Sequence, residues 1–118
     1  MTENTLYEAY FVDGLKEGYA RYISWIPEQE GVYEGEWRKD LRSGFGEEVW
    51  KNGEKFRGES EEGMRHGIGI WTFADGRTRL GTWEKGMKEG WAIYTDKDFV
   101  QAELWLHDVV QKEVDLEE

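Results

Sequence analysis

YEGEWRKDLRSGFGEEVWKNGEK, residues 33–55, is followed directly by FRGESEEGMRHGIGIWTFADGRT, residues 56–78, in which aromatic residues and glycines return in the same order. A third copy, RLGTWEKGMKEGWAIYTDKD, begins at Arg79 after the same interval. Self-similarity with a period of about 20–50 residues is typical of repeat architectures. The period, more than any single motif, therefore predicts the fold.

Glycine recurs at fixed places within these copies. Gly67 and Gly69 beside Arg65 and His66 resemble a phosphate-binding loop, but such a loop occurs once in a chain and does not repeat. We interpret the glycines as structural, because a strand needs a position without a side chain where a neighbouring ring lies flat across it. The rings of Trp37 or Trp83 are predicted to lie over the Gly-x-Gly segments. The glycines in register are Gly35, Gly58 and Gly81, and Gly44, Gly67 and Gly90.

Alternation of residue types indicates strands. Tyr33, Gly35 and Trp37 share one parity, while Glu34 and Glu36 share the other. Asn-Gly and Asp-Gly pairs at 52–53 and 75–76 predict hairpin turns. The expected fold is all-β, an elongated single twisted antiparallel sheet of stacked β-hairpins with about ten strands and a length of ~43 Å. Strands are expected to begin near Tyr7, Tyr33, Phe56 and Arg79, with second strands near Gly18, Phe45, Gly67 and Trp91.

The two ends match the repeat less well. Residues 7–32 form a weaker copy with an insertion near Pro27, and residues 101–108 form half a copy. In the tail, Asp108 is a candidate N-cap and Val110 and Val114 lie four apart, so a short amphipathic capping helix or turn is expected over 108–116. The expected organisation is a tail 1–6, repeats 7–32, 33–55, 56–78 and 79–100, and a partial repeat with an acidic cap or tail at 101–118.

These residues resemble the MORN repeat. YEGEW at 33–37, RHGIG at 65–69 and TFADG at 72–76 are similar to the family pattern, which reads approximately YEGEWKNGKRHGKGVYTYADG. Departures are Ser60 in place of Trp, Glu47-Glu48 in place of an apolar-aromatic pair, and Ala for glycine at 9, 20 and 92. The resemblance implies a non-catalytic interaction module or scaffold, found in cytoskeletal, ciliary and other multi-protein assemblies.

Composition narrows the function classes. The chain has 118 residues, no cysteine and a net charge of −11, so thiol chemistry and Cys-ligated zinc are excluded. The acidity lies at the ends: residues 1–32 hold 2 basic against 6 acidic residues, and residues 99–118 hold 1 against 6. This balance disfavours nucleic acid as a partner. With no apolar run of membrane-spanning length and no signal sequence in residues 1–32, the expected location is the cytoplasm, in association with the cytoskeleton or a membrane periphery.

No catalytic, cofactor or metal site is predicted. His66 is expected to serve turn packing or capping rather than catalysis. Glu34 and Glu36 recur in other copies as Glu59 and Glu103, which predicts a solvated face rather than an acid–base pair in two different environments.

Binding is the expected function. Aromatic rings on a curved sheet predict a groove that a partner protein fills, for example with a helix laid along it. Association of copies through the sheet edges is also expected. The residues predicted to contact the partner are Trp50, Trp71, Phe73, Trp91, Tyr94, Arg57, Arg77 and Arg79. The alternative is a peripheral membrane or phosphoinositide-binding module, which the acidic ends oppose and which would use Arg38, Lys39, Arg42, Arg65 and Lys88.

Overall fold

Every element among the residues that the structure describes is a β-strand, and these strands join one sheet. The computed structural model describes residues 5–26 and 30–116, apart from the side chain of Tyr7, so the predicted insertion at Pro27 lies outside the described residues. The strands are β1 Thr5–Val12, β2 Leu15–Ser24, β3 Gly31–Arg38, β4 Leu41–Trp50, β5 Lys55–Glu61, β6 Met64–Thr72, β7 Thr78–Glu84, β8 Met87–Lys88, β9 Gly90–Thr95, β10 Val100–Leu106 and β11 Val109–Leu116.

The strands follow one another in space as they do in sequence. Neighbours pair antiparallel from β1 to β11, with the short β8 paired to β7 beside the path. The sheet measures 52 × 24 × 22 Å, which confirms the predicted elongated array of hairpins. The described residues form eleven strands rather than about ten, and most begin within four residues of the predicted positions.

Two-residue turns close one side of the array. Asp13-Gly14, Lys39-Asp40, Glu62-Gly63, Lys85-Gly86 and His107-Asp108 all have positive φ at both positions. This is the type I′ geometry, whose twist matches that of the flanking strands. The second residue of each turn after the first also donates its N–H to the preceding repeat, as Gly63 does to the Arg42 carbonyl (2.9 Å) and Gly86 to that of Arg65 (2.9 Å). The turns therefore tie each repeat to the one before it.

The predicted Asn-Gly and Asp-Gly turns lie on the other side of the array and are longer. Trp50 and Glu54 close the first loop by an N–H···O bond of 2.9 Å, and the Asn52 side chain accepts the N–H of Glu54. Asp75 accepts the N–H of Arg77 in the next loop in the same way. Only the glycine of each pair has positive φ, so both pairs join hairpins through larger loops than the predicted tight turns.

One face of the sheet carries the rings and the glycines, and we call it the aromatic face; it holds Tyr33, Gly35 and Trp37. Tyr33 pairs with Glu48 and Gly35 with Gly46 across the next strand, so all four positions share this face. Buried rings here are Tyr33 at 3% exposure, Phe56 at 3%, Trp83 at 5% and Trp37 at 8%. We call the opposite side, which holds Glu34, the outer face.

Rings do lie over glycines, as predicted, but of the two predicted rings only Trp83 reaches a glycine, and it is not the main cover. A Cβ added to Gly46 would overlap the Tyr33 ring, with Cε1 only 2.8 Å away, and one on Gly69 would come within 2.7 Å of Phe56 Cε1. Trp83 is the second ring at Gly69, at 3.3 Å. Trp37 instead meets the Tyr33 ring edge-on, with centroids 5.7 Å apart. The first aromatic residue of each copy, rather than the tryptophan, is the main cover of the glycine.

The third copy has neither the covering ring nor the covered glycine. Arg79 stands where Tyr33 and Phe56 stand in the copies before it, and Ala92 stands where Gly46 and Gly69 do. Because no ring has to lie flat at this place, a methyl group fits, and Ala92 is 5% exposed. In the copy that begins at Arg79, ring and glycine are therefore replaced together.

The C-terminal segment is a strand, so the predicted helix or turn over 108–116 is wrong. His107-Asp108 forms a type I′ turn, and β11 pairs back along β10, with Val114 opposite Ala102. Asp108 caps no helix; its carboxylate accepts the N–H of Lys88 at 2.7 Å. The β-branched valines favour this pairing, because their spacing fits a period of two as well as four. The array therefore ends on a strand whose residues are all exposed.

Candidate functional site on the aromatic face

The middle of the aromatic face is a cluster of rings around one arginine. Trp50 and Trp71 stack with centroids 5.0 Å apart and planes 24° from parallel, and Phe56 lies 6.0 Å from Trp71. The guanidinium carbon of Arg65 lies 4.9 Å from the Phe56 centroid and 5.1 Å from that of Trp71. Cation–π attraction stabilises this contact, which keeps Trp50 and Trp71 half-buried on the surface of the sheet.

A single carboxylate joins two arginines beside this cluster. Glu48 lies 2.8 Å from Arg42 and 3.4 Å from Arg65. Arg42 in turn covers the Tyr33 ring at 4.1 Å. Burial raises the pKa of Tyr33 to about 12, with Arg42 opposing that rise. Glu48 thus occupies a position where the repeat pattern has an aromatic residue. At this place on the aromatic face, an ion-paired carboxylate therefore replaces a ring.

A second arginine cluster follows toward the C-terminus. Arg79 forms a fork with Glu103 (2.7 and 3.2 Å), and the Trp105 indole N–H donates to the same carboxylate at 3.0 Å. Glu103 is only 4% exposed, so its predicted place on a solvated face is wrong. It pairs with Ala92 in the register and therefore shares the aromatic face. Burial raises the pKa of Glu103, but the hydrogen bonds from Arg79 and Trp105 outweigh it and hold the pKa below its ordinary value.

The loop side of this cluster is polar. Arg77 donates to the Tyr94 hydroxyl at 3.0 Å and to Asp75 at 2.8 Å, and its guanidinium carbon lies 4.5 Å from the Phe73 centroid. The hydrogen bond from Arg77 holds the pKa of Asp75 below its ordinary range. The open pocket beside these residues has a volume of about 470 Å³ and continues to Asp96.

The structure brings together six of the eight predicted contact residues. They share the aromatic face and its loop end, and are Trp50, Trp71, Phe73, Tyr94, Arg77 and Arg79. Trp91 and Arg57 do not join them, because each lies one residue from an aromatic-face position, Trp91 beside Ala92 and Arg57 beside Gly58. Arg57 pairs with Glu47 on the outer face at 3.3 Å.

The basic residues of the membrane alternative divide between two environments. Arg42 and Arg65 pair with Glu48, and Lys88 lies 3.4 Å from Asp108 and 4.6 Å from the Trp105 centroid. Arg38 and Lys39 are exposed at the β3–β4 turn. Three of the five are therefore committed to the aromatic face.

His66 lies within β6 rather than in the predicted turn, with Nε2 3.2 Å from Glu61. None of the described residues forms a group of three or more histidines and carboxylates placed to hold a metal ion. In the part of the chain that the structure describes, no helix is long and apolar enough to cross a membrane.

Sequence reasoning missed an apolar region on the outer face. Ile68 and Ile70 lie opposite in parity to Gly67 and Gly69, and Ile68 is 61% exposed. The alternation visible in the sequence already placed these residues on a different face from the glycines. It did not show that isoleucine, leucine and valine from other strands would line up with them, because that depends on the register.

The comparison with family models follows this geometry. The model of the MORN repeat matches residues 7–24, 33–55, 56–76 and 80–98, which cover more than half of the chain. The chain belongs to the MORN-repeat family. The comparison with curated proteins gives no match. MORN repeats are non-catalytic repeat modules, generally of protein or membrane interaction.

Proposed function

We propose that this MORN-repeat chain is a protein-binding scaffold, not an enzyme, and that a partner protein binds its aromatic face. The observation that carries the proposal is the half-buried cluster of rings around Arg65. Its Trp50 and Trp71 stack on the surface of the sheet rather than under a second layer. Tryptophan, tyrosine and arginine are the side chains that contribute most at protein interfaces.

Preorganisation supports the same conclusion. Arg79 is fixed by Glu103, and Arg77 by Asp75 and Tyr94, so neither side chain has to be ordered when a partner arrives. Immobilising a free side chain of this kind costs about 0.5–1.5 kcal/mol. Because these side chains are already ordered in the free protein, the cost of immobilising them does not reduce the binding free energy.

The spacing of the repeats fits a helix as the partner segment. One repeat contributes two strands, or ~9.6 Å along the sheet. Seven residues of an α-helix rise ~10.5 Å, so a helix laid along the array presents the same side to each successive repeat. Trp71 and Tyr94, which lie one repeat apart on either side of Arg79, would then contact side chains about seven residues apart. We place such a complex in the cytoplasm, within a cytoskeletal, ciliary or other multi-protein assembly.

The test compares proteins captured by the wild-type chain and by matched variants of its two faces. Trp71→Ala and Arg77→Ala alter the aromatic face, while Phe45→Ala removes a ring of 54% exposure from the outer face. Thermal melts first establish that each variant is folded. Mass spectrometry should find proteins that the wild type and Phe45→Ala retain and that both aromatic-face variants lose. Equal retention by all four chains would overturn the proposal.

Liposome flotation at low salt separates this proposal from the membrane alternative. The scaffold proposal expects no flotation with anionic vesicles, because the ends of the chain are acidic and three of the candidate basic residues are paired. Flotation that is lost in Arg38→Ala and Lys39→Ala, with no aromatic-face partner captured, would favour the membrane reading instead.

A further inference from the structure

The outer face is apolar in its C-terminal half. One row of directly paired residues crosses it from β6 to β11 without a charge: Ile70, Leu80, Ile93, Ala102 and Val114. A second row beside it holds Ile68 opposite Thr82, and Trp91 opposite Leu104. We call these two rows the apolar rows. Ile68 is 61% exposed, Trp91 52% and Leu80 46%.

The size of this surface is that of an interaction site. Five strands and two rows span ~24 by ~14 Å. Contiguous exposed apolar patches of about 300–600 Å² are the largest that a typical monomer carries, and they are often functional. Among the described residues no second layer covers the apolar rows, because every strand belongs to the one sheet.

Opposite charges stand at the two ends of the row that holds Ile68. Glu59 of β5 lies at the Ile68 end, where β5 is bulged and the Glu59 carboxylate lies against Gly67 of β6, and Lys112 of β11 pairs with Leu104 at the other end. Both side chains are exposed, and neither forms an ion pair with any of the residues that the structure describes. An apolar row with a carboxylate at one end and an ammonium at the other is complementary to the same row of a second copy that runs in the opposite direction.

We propose that two copies of this chain pack outer face to outer face through the apolar rows, with their sheets running in opposite directions. Glu59 of each copy then meets the partner's Lys112, and the contact is made twice, as a two-fold axis requires. The aromatic faces point away from each other, so the dimer presents two partner-binding surfaces at once.

Charge favours a second copy at this place and disfavours it elsewhere. The chain carries a net charge of −11, so contacts between copies through most of its surface are repulsive. The N-terminal half of the outer face is also rich in carboxylates, with Glu34, Glu36 and Glu47 on adjacent strands. The apolar rows avoid that repulsion, and the opposite orientation keeps the two acidic halves apart. An apolar contact of ~340 Å² per copy is smaller than the ~800 Å² per partner of a standard interface, so the dimer is weak and depends on concentration.

Sedimentation velocity over a range of concentrations tests the proposal. The wild type should change from monomer to dimer, and Ile68→Glu should remain monomeric, since it places two carboxylates inside the contact. Tyr19→Glu is the matched control, because this ring is equally exposed (60%) on the same face but lies on β2, away from the apolar rows and from Glu59; it should dimerise like the wild type. Thermal melts of the variants verify that each is folded.

Charge reversal tests the orientation. Glu59→Lys and Lys112→Glu should each weaken the dimer about tenfold, because each turns two attractions into two repulsions. The double variant, with both changes, should restore the wild-type affinity. A wild type that is monomeric at the highest soluble concentration would overturn the proposal, as would a dimer that survives Ile68→Glu. Single reversals that have no effect, or a double variant that is not restored, would overturn the antiparallel arrangement.

Discussion

Replacing Gly69 by alanine tests how this sheet makes a core without a second layer. A Cβ at this position would lie 2.7 Å from Phe56 Cε1 and 3.3 Å from Trp83 Cζ3. Neither ring can retreat cheaply, since both are at least 95% buried and they pack edge-on with centroids 5.0 Å apart. Overpacking of this kind costs about 1–3 kcal/mol. Alanine would otherwise gain about 0.5–1 kcal/mol over glycine inside a strand, so the net expected loss is about 0–2.5 kcal/mol.

Urea unfolding followed by tryptophan fluorescence measures this loss, and a double-mutant cycle assigns it to the ring. In a Phe56→Leu background the added methyl has room, so Gly69→Ala should cost at least about 1 kcal/mol less there than in the wild type. Gly86→Ala is the matched control, because no atom lies within 4 Å of its added Cβ and its cost comes only from a φ of +84°. That cost should be the same in both backgrounds.

Additive effects of Gly69→Ala and Phe56→Leu, within about 0.5 kcal/mol, would refute the reasoning. An unchanged unfolding slope in urea is required for the comparison, because repeat arrays can lose cooperativity when one unit is weakened.

Three further predictions concern the rings and the ion pairs. Trp37→Ala should cost about 3–5 kcal/mol in urea unfolding as a large-to-small core change, and Trp71→Ala less, because Trp71 is only half-buried; equal losses would contradict the division between core and surface rings. Arg79→Met should cost about 3–5 kcal/mol because it strands a buried carboxylate, whereas Arg57→Met, which breaks an exposed pair, should cost less than about 1 kcal/mol; the same melts distinguish the two. Because the pKa of Glu103 is lower in the folded state than its ordinary value of 4.5, Glu103 stabilises the fold at pH values above 4.5, and this contribution is lost as the pH falls through the folded pKa. Glu103→Gln should therefore flatten the acid side of a curve of unfolding free energy against pH. A curve parallel to that of the wild type would contradict the assignment.

The fold was predictable because glycine and aromatic residues recur with a period and alternate with charged residues. These signals are local, and they hold wherever the copies are regular. Which ring covers which glycine was not predictable, since Tyr33 and Trp37 have the same parity and the choice depends on the offset between neighbouring strands. The C-terminal strand was mistaken for a helix because the spacing of Val110 and Val114 is compatible with both periods.

The candidate site was predictable in part for the same reason. Trp50 and Trp71 share the parity of the glycine-covering rings, and the structure places them together. Trp91 and Arg57 have the opposite parity, so the sequence alone was enough to place them on the other face. Glu103 was misplaced because it stands at the repeat position that Gly81 holds in the copy before it, and only its ion pair with Arg79 shows why a carboxylate is stable there.

Proton NMR of the glycine Hα resonances tests most directly whether rings lying on glycines form the packed face of this single sheet. Gly46 and Gly69 lie under the rings of Tyr33 and Phe56, so their Hα signals should shift upfield of ordinary strand glycines. Gly81 faces Ala92 instead and should show a much smaller shift. The upfield shift of Gly69 should also become smaller in Phe56→Leu, where only the Trp83 ring remains beside it. Ordinary strand shifts at both Gly46 and Gly69 in the folded protein would contradict the account.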